Sequence, residues 1–376
     1  MAKVGKNTQT WSHRELSPSL IILVSFLASC SSVSAATWCV NDASKKDDCF
    51  TRAPGNDKTG DGTAEKPFRS LERVLKIAQE GDILHFDTGT YSIPAALSKT
   101  GGTEPVPIKI SNLTLEGAGP ERTFFQAKGN AGLVFAECQG IHLREFSVLG
   151  GDESLFLNRC DKAELLHIET KHSLSYGILL KDSHGNKIEG CRTSQSRFRG
   201  LQLRRSDRNL VHNHLAAENA NAGICLEEAL ENSIQNSVSR QNGMSGFYVY
   251  RKSDGNRFEK CVADKNKFVG FYLDNGSTRN RLIKNISGNN ERGFTLKAAR
   301  ENDLEQNSAS ANRGHGFWVK HNSQGGTFKD NLGENNGGAG FIFSNDSPPS
   351  LFTQNLSPNN QKPDHLVAVQ KLQRSK

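Results

Sequence analysis

A chain of 376 residues with a formal charge of +7, 35% hydrophobic residues and a mean hydropathy of -0.57 is lean in apolar side chains for a compact globule of its length. Its 47 Lys and Arg residues form no run and do not alternate with aromatic residues on a helical face, which argues against a nucleic-acid partner. The 35 glycines and the frequent asparagines point instead to turns at regular intervals, the mark of a repeat architecture.

Residues 1–35 read as an export signal. A basic start precedes the apolar run "LIILVSFLA", Leu20 to Ala28, which is too short to span a bilayer. Two processing readings stand side by side. Leu27-Ala28-Ser29-Cys30 resembles a bacterial lipobox that would make Cys30 a lipid anchor, the chain's one expected membrane contact; Val33-Ser34-Ala35 offers an ordinary small-residue cleavage site. Removing this segment lowers the formal charge from +7 to +5, compatible with an acidic partner.

Residues 36–107 read as an N-terminal cap and first coils. Cys39 and Cys49 are close enough in sequence to pair in an oxidising compartment. In "GNDKTGDGT", Asp57, Thr59, Asp61 and Gly62 have part of the spacing of a calcium loop, but Phe68 stands where the closing glutamate belongs, so a tight polar turn is the preferred reading. No cofactor is required, with Ca2+ as the one ion the sequence suggests. In "PFRSLERVLKIAQEGD", Phe68, Leu71, Val74, Leu75 and Ala78 form a helical stripe between Pro67 and Gly81, the expected helical cap over an open end.

From residue 108 to 358 a repeat dominates. Tetrapeptides that begin with glycine and alternate apolar residues start at positions 177, 200, 223, 246, 270, 293, 316 and 340, at intervals of 23 or 24, with earlier relatives at 132 and 154. Asn219, Asn242, Asn266, Asn289, Asn312 and Asn336 stand four residues before successive glycines, and a second series runs through Cys191, Asn213, Asn236, Cys261, Asn285, Asn307 and Asn331. A unit of about 23 residues with at least two short strands leaves no room for a helix and lacks the several leucines of a leucine-rich repeat. The fold class is therefore all-β, a right-handed parallel β-helix of about ten to eleven coils. Stacked asparagines would pair along the turns, the cysteines in their slots would be small buried substitutes, and 359–376 would be a tail or cap.

The segment from "APGNDKTGDGT" to "DTGTYS", followed by these repeats, resembles secreted pectate-lyase-like β-helix proteins, a superfamily of many polysaccharide lyases, epimerases and hydrolases. The repeats are also similar to those of carbohydrate-binding and sugar-hydrolase β-helix domains and of the NosD group. This resemblance implies the fold and a polysaccharide partner; it does not select one chemistry. The Asp-Pro-His-Glu string of mannuronan epimerases does not occur, and two methionines are few for a NosD-like copper role.

Strand alternation assigns the faces. Ile178, Leu201, Ile224, Phe247, Phe271, Phe294, Phe317 and Phe341 point inward; Leu179, Gln202, Cys225, Tyr248, Tyr272, Thr295, Trp318 and Ile342 point outward. A second outward column runs through Lys181, Arg204, Glu227, Tyr250, Asp274, Lys297, Lys320 and Ser344. Tyr248, Tyr272 and Trp318 would offer stacking platforms for sugar rings, and Lys181, Lys297 and Lys320 would hold acidic substituents of a polysaccharide. For β-elimination, Tyr250 beside Arg204, Arg251 and Lys252 could supply a base and enolate stabilisation. For hydrolysis, Glu227 and Asp274 lie two coils apart, about 9.6 Å, near the upper limit of an inverting pair. His212 and His214, flanking Asn213, are expected to point to solvent. The expected protein is an exported monomer that binds, and as a lyase cleaves, an acidic polysaccharide; the alternative is a non-catalytic carbohydrate-binding or cell-surface protein, with an inverting hydrolase or an epimerase behind both.

Overall fold

The computed structural model describes residues 34–97, 103–130 and 132–366, and the chain divides into a unit of residues 1–34 and a second of residues 35–376 that carries the fold. The signal segment and Cys30 lie outside the described residues. The second unit is a parallel β-solenoid. An 11-stranded sheet climbs from Leu133–Ala136 through Tyr176–Lys181, Arg199–Arg204, Ile224–Glu227, Phe247–Tyr250, Val269–Asp274, Arg292–Lys297 and Phe317–Lys320 to His365–Leu366. A 22-stranded sheet makes the other walls. Its later coils each contribute two three-residue strands, such as Arg257–Glu259 and Val262–Asp264, and the two runs are joined through the eight-residue strands His142–Leu149 and Glu164–Lys171. A typical coil thus has three strands. Both large sheets are parallel throughout; the antiparallel pair is the small hairpin Ala95–Leu97 with Thr103–Pro105.

The register inside the eleven-stranded sheet is the one the glycine tetrapeptides predict. Ile178 pairs with Leu201, then Ile224, Phe247, Phe271, Phe294, Phe317 and Phe341. The five phenylalanines stack with centroids 4.5 to 4.8 Å apart and planes within 4 to 7°. Each is buried, which is worth about 1.5–3 kcal/mol per ring.

Amide ladders close the turns. The backbone N–H and Nδ2 of Asn242 both donate to Oδ1 of Asn266, at 3.1 and 2.9 Å, and Asn266 repeats the contact with Asn290. A parallel ladder runs through Asn186, Asn209, Asn232, Asn256, Asn280 and Asn302. Here two details of the sequence reading are corrected. The ladder residue is Asn290, not Asn289, and the second series passes through His214 and Ser237 rather than Asn213 and Asn236. The displaced asparagines have φ of 57°, 52° and 50°, the left-handed conformation each turn needs just before its ladder residue. Asparagine tolerates that conformation well, so it suits either slot, and adjacent polar residues disguise the register. His214 is consequently buried, bonded to Thr193 Oγ1 at 3.1 Å, and burial pushes its imidazole down to about 3; His212 stays half-buried near the surface.

At the N-terminal end the helix is only Leu71–Leu75, capped by Ser70, whose Oγ accepts from the Arg73 N–H. Leu71 and Val74 are buried, but Phe68 is extended and bridges Val40, so the long helical cap expected over this end is not what the chain forms. Asp82 draws the following residues into the strand Ile83–Phe86 by accepting from the Gln79 and Ala36 N–H groups and from Trp38 Nε1. In the "GNDKTGDGT" turn, Asp57 accepts from Arg69 N, Ser70 N and Ser70 Oγ, and Asp61 from Thr63. Those carboxylate oxygens brace the turn. Cys39 and Cys49 are free thiols.

Candidate functional site: the outer face of the eleven-stranded sheet

Every expected site residue lies on, or at the edge of, one sheet face. Lys181 pairs with Arg204, Arg204 with Glu227, and Glu227 with Tyr250; Asp274 pairs with Lys297, and Lys297 with Lys320. Beside them run Leu179, Gln202, Cys225, Tyr248, Tyr272, Thr295, Trp318 and Ile342 in register. Arg251 sits in the turn after Tyr250 and folds back onto Glu227.

Pointing outward is not the same as being exposed. Leu179, Gln202, Cys225, Tyr272 and Thr295 are buried, and Tyr248 and Trp318 are half-buried. The cover comes from residues that the alternation rule left out. At each coil glycine the backbone presses against the next coil; a Cβ on Gly223 would lie 1.9 Å from Ser239 Oγ. The residue just before the glycine can then swing over the outer face, as Arg199 and Arg292 do.

Arg199 is the centre of the first cluster. Only 7% exposed, it donates to Gln202 Oε1 at 2.5 Å and to Tyr250 OH at 3.3 Å, and its guanidinium lies over Phe198, Tyr250 and Tyr248 at 4.6, 5.3 and 5.9 Å from the ring centroids. Glu227, 4% exposed, is reached by Arg251 through a hydrogen bond and by Arg199 and Arg204 at 3.9 Å each. Three guanidiniums around one buried carboxylate meet the condition under which a charge can be buried. Asp274 in turn faces Lys297 at 3.9 Å, so each of the two carboxylates expected as an inverting pair has a cation of its own column beside it.

The tyrosines stack on each other. Tyr248 lies 4.6 Å from Tyr250 and 5.2 Å from Tyr272, nearly parallel to both, so its faces are already covered. Burial raises all three phenols: Tyr248 is pushed up to about 12, and Tyr250 goes further, with the Cys225 and Glu227 side chains adding to desolvation. Burial thus works against the phenolate that the base role expected of Tyr250 needs, while the Arg199 guanidinium donating to its oxygen works for it.

The second cluster lies around Trp318. Arg292 lies over the indole at 4.7 Å and the Lys320 ammonium at 3.4 Å from its centroid, with His315 tilted against it at 5.8 Å. The ring expected to stack on sugar is occupied by two cations. A cavity of about 590 Å3 opens beside it, lined by Trp318, Lys320, His321, Ile342, Asp346 and His365 among others. Arg199 and Arg292 escaped sequence reasoning because their register positions precede the repeat glycine, where alternation breaks; an arginine at two of the eight positions before a repeat glycine is the signal that could have found them.

A family model described as right handed beta helix region matches residues 153–286, and one described as periplasmic copper-binding protein (NosD) matches residues 240–367. No curated protein matches the chain. Among solved structures it is similar to the mannuronan C-5 epimerase AlgE4 A-module of Azotobacter vinelandii, at 15% identity over 79% of this chain and 91% of that one, TM-score 0.62. It is also similar to the catalytic domain of a GH87 alpha-1,3-glucanase in complex with nigerose (12%, 84% and 69%, TM-score 0.58) and to pectate lyase Pel9A (14%, 88% and 78%, TM-score 0.53). At such identities the likeness is one of fold. The copper of the NosD description finds no fitting ligand set, since among the described residues no three His, Cys, Asp or Glu side chains converge as a metal site and His214 is turned inward onto Thr193. By its coils, its strand register and these matches, the chain has the right-handed parallel β-helix fold.

Proposed function

We propose that this chain is an exported protein that binds an acidic polysaccharide along the outer face of the eleven-stranded sheet. The observation that carries the reading is charge: from Tyr176–Lys181 to Phe317–Lys320 the outward positions hold Lys181, Arg199, Arg204, Arg292, Lys297 and Lys320 against Glu227 and Asp274. Successive strands in such a sheet lie about 4.8 Å apart, so the basic groups form a track along the solenoid that suits a polyanion better than a small ligand. Export is supported by the expected signal segment and by the periplasmic description of the NosD family; among the described residues no helix is long and apolar enough to cross a membrane. Cys30 as a lipid anchor and a monomeric state belong to the same proposal.

Cleavage is the second reading, favoured by Tyr250 lying against Arg199 and Arg251. In a β-elimination, Arg204 and Arg251 would hold the uronate carboxylate and stabilise the enolate, while Tyr250, as phenolate beside Arg199, would take the proton next to the carboxylate and pass it to the leaving oxygen as the carbon–oxygen bond breaks and the double bond forms. Purified protein incubated with alginate and with polygalacturonate, with and without calcium, separates the readings: β-elimination creates an ultraviolet-absorbing double bond, while affinity electrophoresis in the same polymers reports binding. Retardation without an absorbance rise is the expected result. A rise makes the protein a lyase, and neither signal on any acidic polymer overturns the proposal.

A further inference from the structure

The two basic clusters of the face differ in how their charge is balanced. Around Glu227 each of three arginines reaches the carboxylate. Around Trp318 the cations are Arg292, Lys297 and Lys320, and Asp274, the carboxylate paired with Lys297 across the strands, is within ion-pair distance of Lys297 alone. Among the described residues no carboxylate reaches Arg292 or Lys320; their close partner is the face of the indole. Burial and the nearby Arg292 and Lys297 charges hold the Lys320 ammonium below its ordinary range, and the same Arg292 charge helps keep His315 neutral. Two cations crowded on one ring, partly out of water and with no carboxylate within ion-pair distance among the described residues, make a place where an anion would be stabilised. In the same column the Thr295 hydroxyl is buried without a partner.

The cavity beside this cluster gives the anion something to be attached to. Its volume of about 590 Å3 suits a sugar residue with its neighbour, Ile342 supplies an apolar wall, and Asn345, His321 and His365 supply polar groups. The Asp346 carboxylate on the lining accepts through Oδ1 from Ser344 Oγ and Ser347 Oγ at 2.7 and 2.9 Å, which leaves Oδ2 able to accept from a hydroxyl.

We propose that Arg292 and Lys320, held against Trp318, form an anion subsite that takes the carboxylate or sulfate of a sugar residue seated in the adjoining cavity. The inference rests on the reading of the face as a polysaccharide track and goes further: it gives Trp318 the task of presenting two cations instead of stacking on a ring. It also makes the indole a positioning residue, because loss of the ring frees both cations without removing either charge.

The test is affinity electrophoresis and calorimetric titration of the full chain with alginate, which carries carboxylates, carrageenan, which carries sulfates, and dextran, which carries neither. Arg292→Gln and Lys320→Gln should each weaken binding of the preferred anionic polymer about tenfold, the double variant should add little, and melting temperature should stay that of the parent. Trp318→Leu should weaken the same polymer by a smaller factor. Whichever of alginate and carrageenan shows the loss identifies the anionic group. If both single variants bind like the parent while Arg204→Gln or Lys297→Gln weakens binding, the track stands and this subsite is overturned. If the parent binds neither anionic polymer, or binds dextran equally well, the subsite and the underlying reading fall together.

Discussion

The coils between residues 177 and 343 and those before residue 150 fill the same kind of barrel by different means. In the later coils one register repeats, so Phe247, Phe271, Phe294, Phe317 and Phe341 take the same orientation and stack face to face. In the earlier coils the rings come from different positions, and Phe86, Tyr91, Phe125 and Phe146 meet edge to face at 69 to 82°. The polar groups divide likewise. The later turns are satisfied by amides that each copy the one below, whereas the early region concentrates its turn contacts on single buried carboxylates, Asp87 accepting from Cys49 N, Phe50 N, Thr51 N, Thr51 Oγ1 and Thr88 N. A repeat spreads stabilisation evenly over neighbours; an irregular end rests on a few groups.

Five substitutions probe that difference. Phe294→Ala empties the middle of the stack and should cost about 3–5 kcal/mol in denaturant unfolding, with hydrogen exchange accelerated in the coils on both sides. Asp87→Ala strands several buried donors at once and should cost about 3 kcal/mol or more, yet accelerate exchange chiefly in residues 37–97. Equal acceleration along the whole chain for both variants would mean that the two regions fold as one unit and the contrast is only descriptive. Asn266→Ala leaves the Asn242 N–H without its acceptor, while Asn242 Nδ2 keeps Ala216 O and Ser239 Oγ, and should cost about 1–3 kcal/mol; Asn289→Gly, at a left-handed position, should stay within about 0.5 kcal/mol in a thermal melt.

His214 gives the fifth, which depends on pH. Its folded value of about 3 lies below the ordinary 6.5, so the unfolded chain binds a proton that the folded chain refuses. Stability therefore falls as pH drops through 6.5 and continues to fall toward 3, by about 2 kcal/mol at pH 5. His214→Asn, an amide in a slot where later coils use Asn285 and Asn307, should remove that part of the slope in melts taken between pH 7 and pH 5. An unchanged slope would show that another group titrates.

Much of the site was legible beforehand, and its limits are instructive. Lys181, Arg204, Glu227 and Tyr250 form one pairing run and Asp274, Lys297 and Lys320 another, because strand alternation and a constant period transfer directly into space. Arg199 and Arg292 were missed since they precede the glycine where the strand kinks. Their arrival puts a guanidinium at the Tyr250 hydroxyl and turns Trp318 from a bare platform to a covered one.

By itself, the sequence determined the period, the parallel stacking and the inward and outward columns of the main sheet, since each is written in residues a few positions apart and repeated down the chain. Tertiary structure alone decided which of two adjacent asparagines enters a ladder, whether an outward residue is covered, and which cation meets which carboxylate. Those outcomes depend on side chains 23 to 51 residues apart, such as Arg199 and Tyr250, whose reach and orientation are settled only when consecutive coils lie against each other.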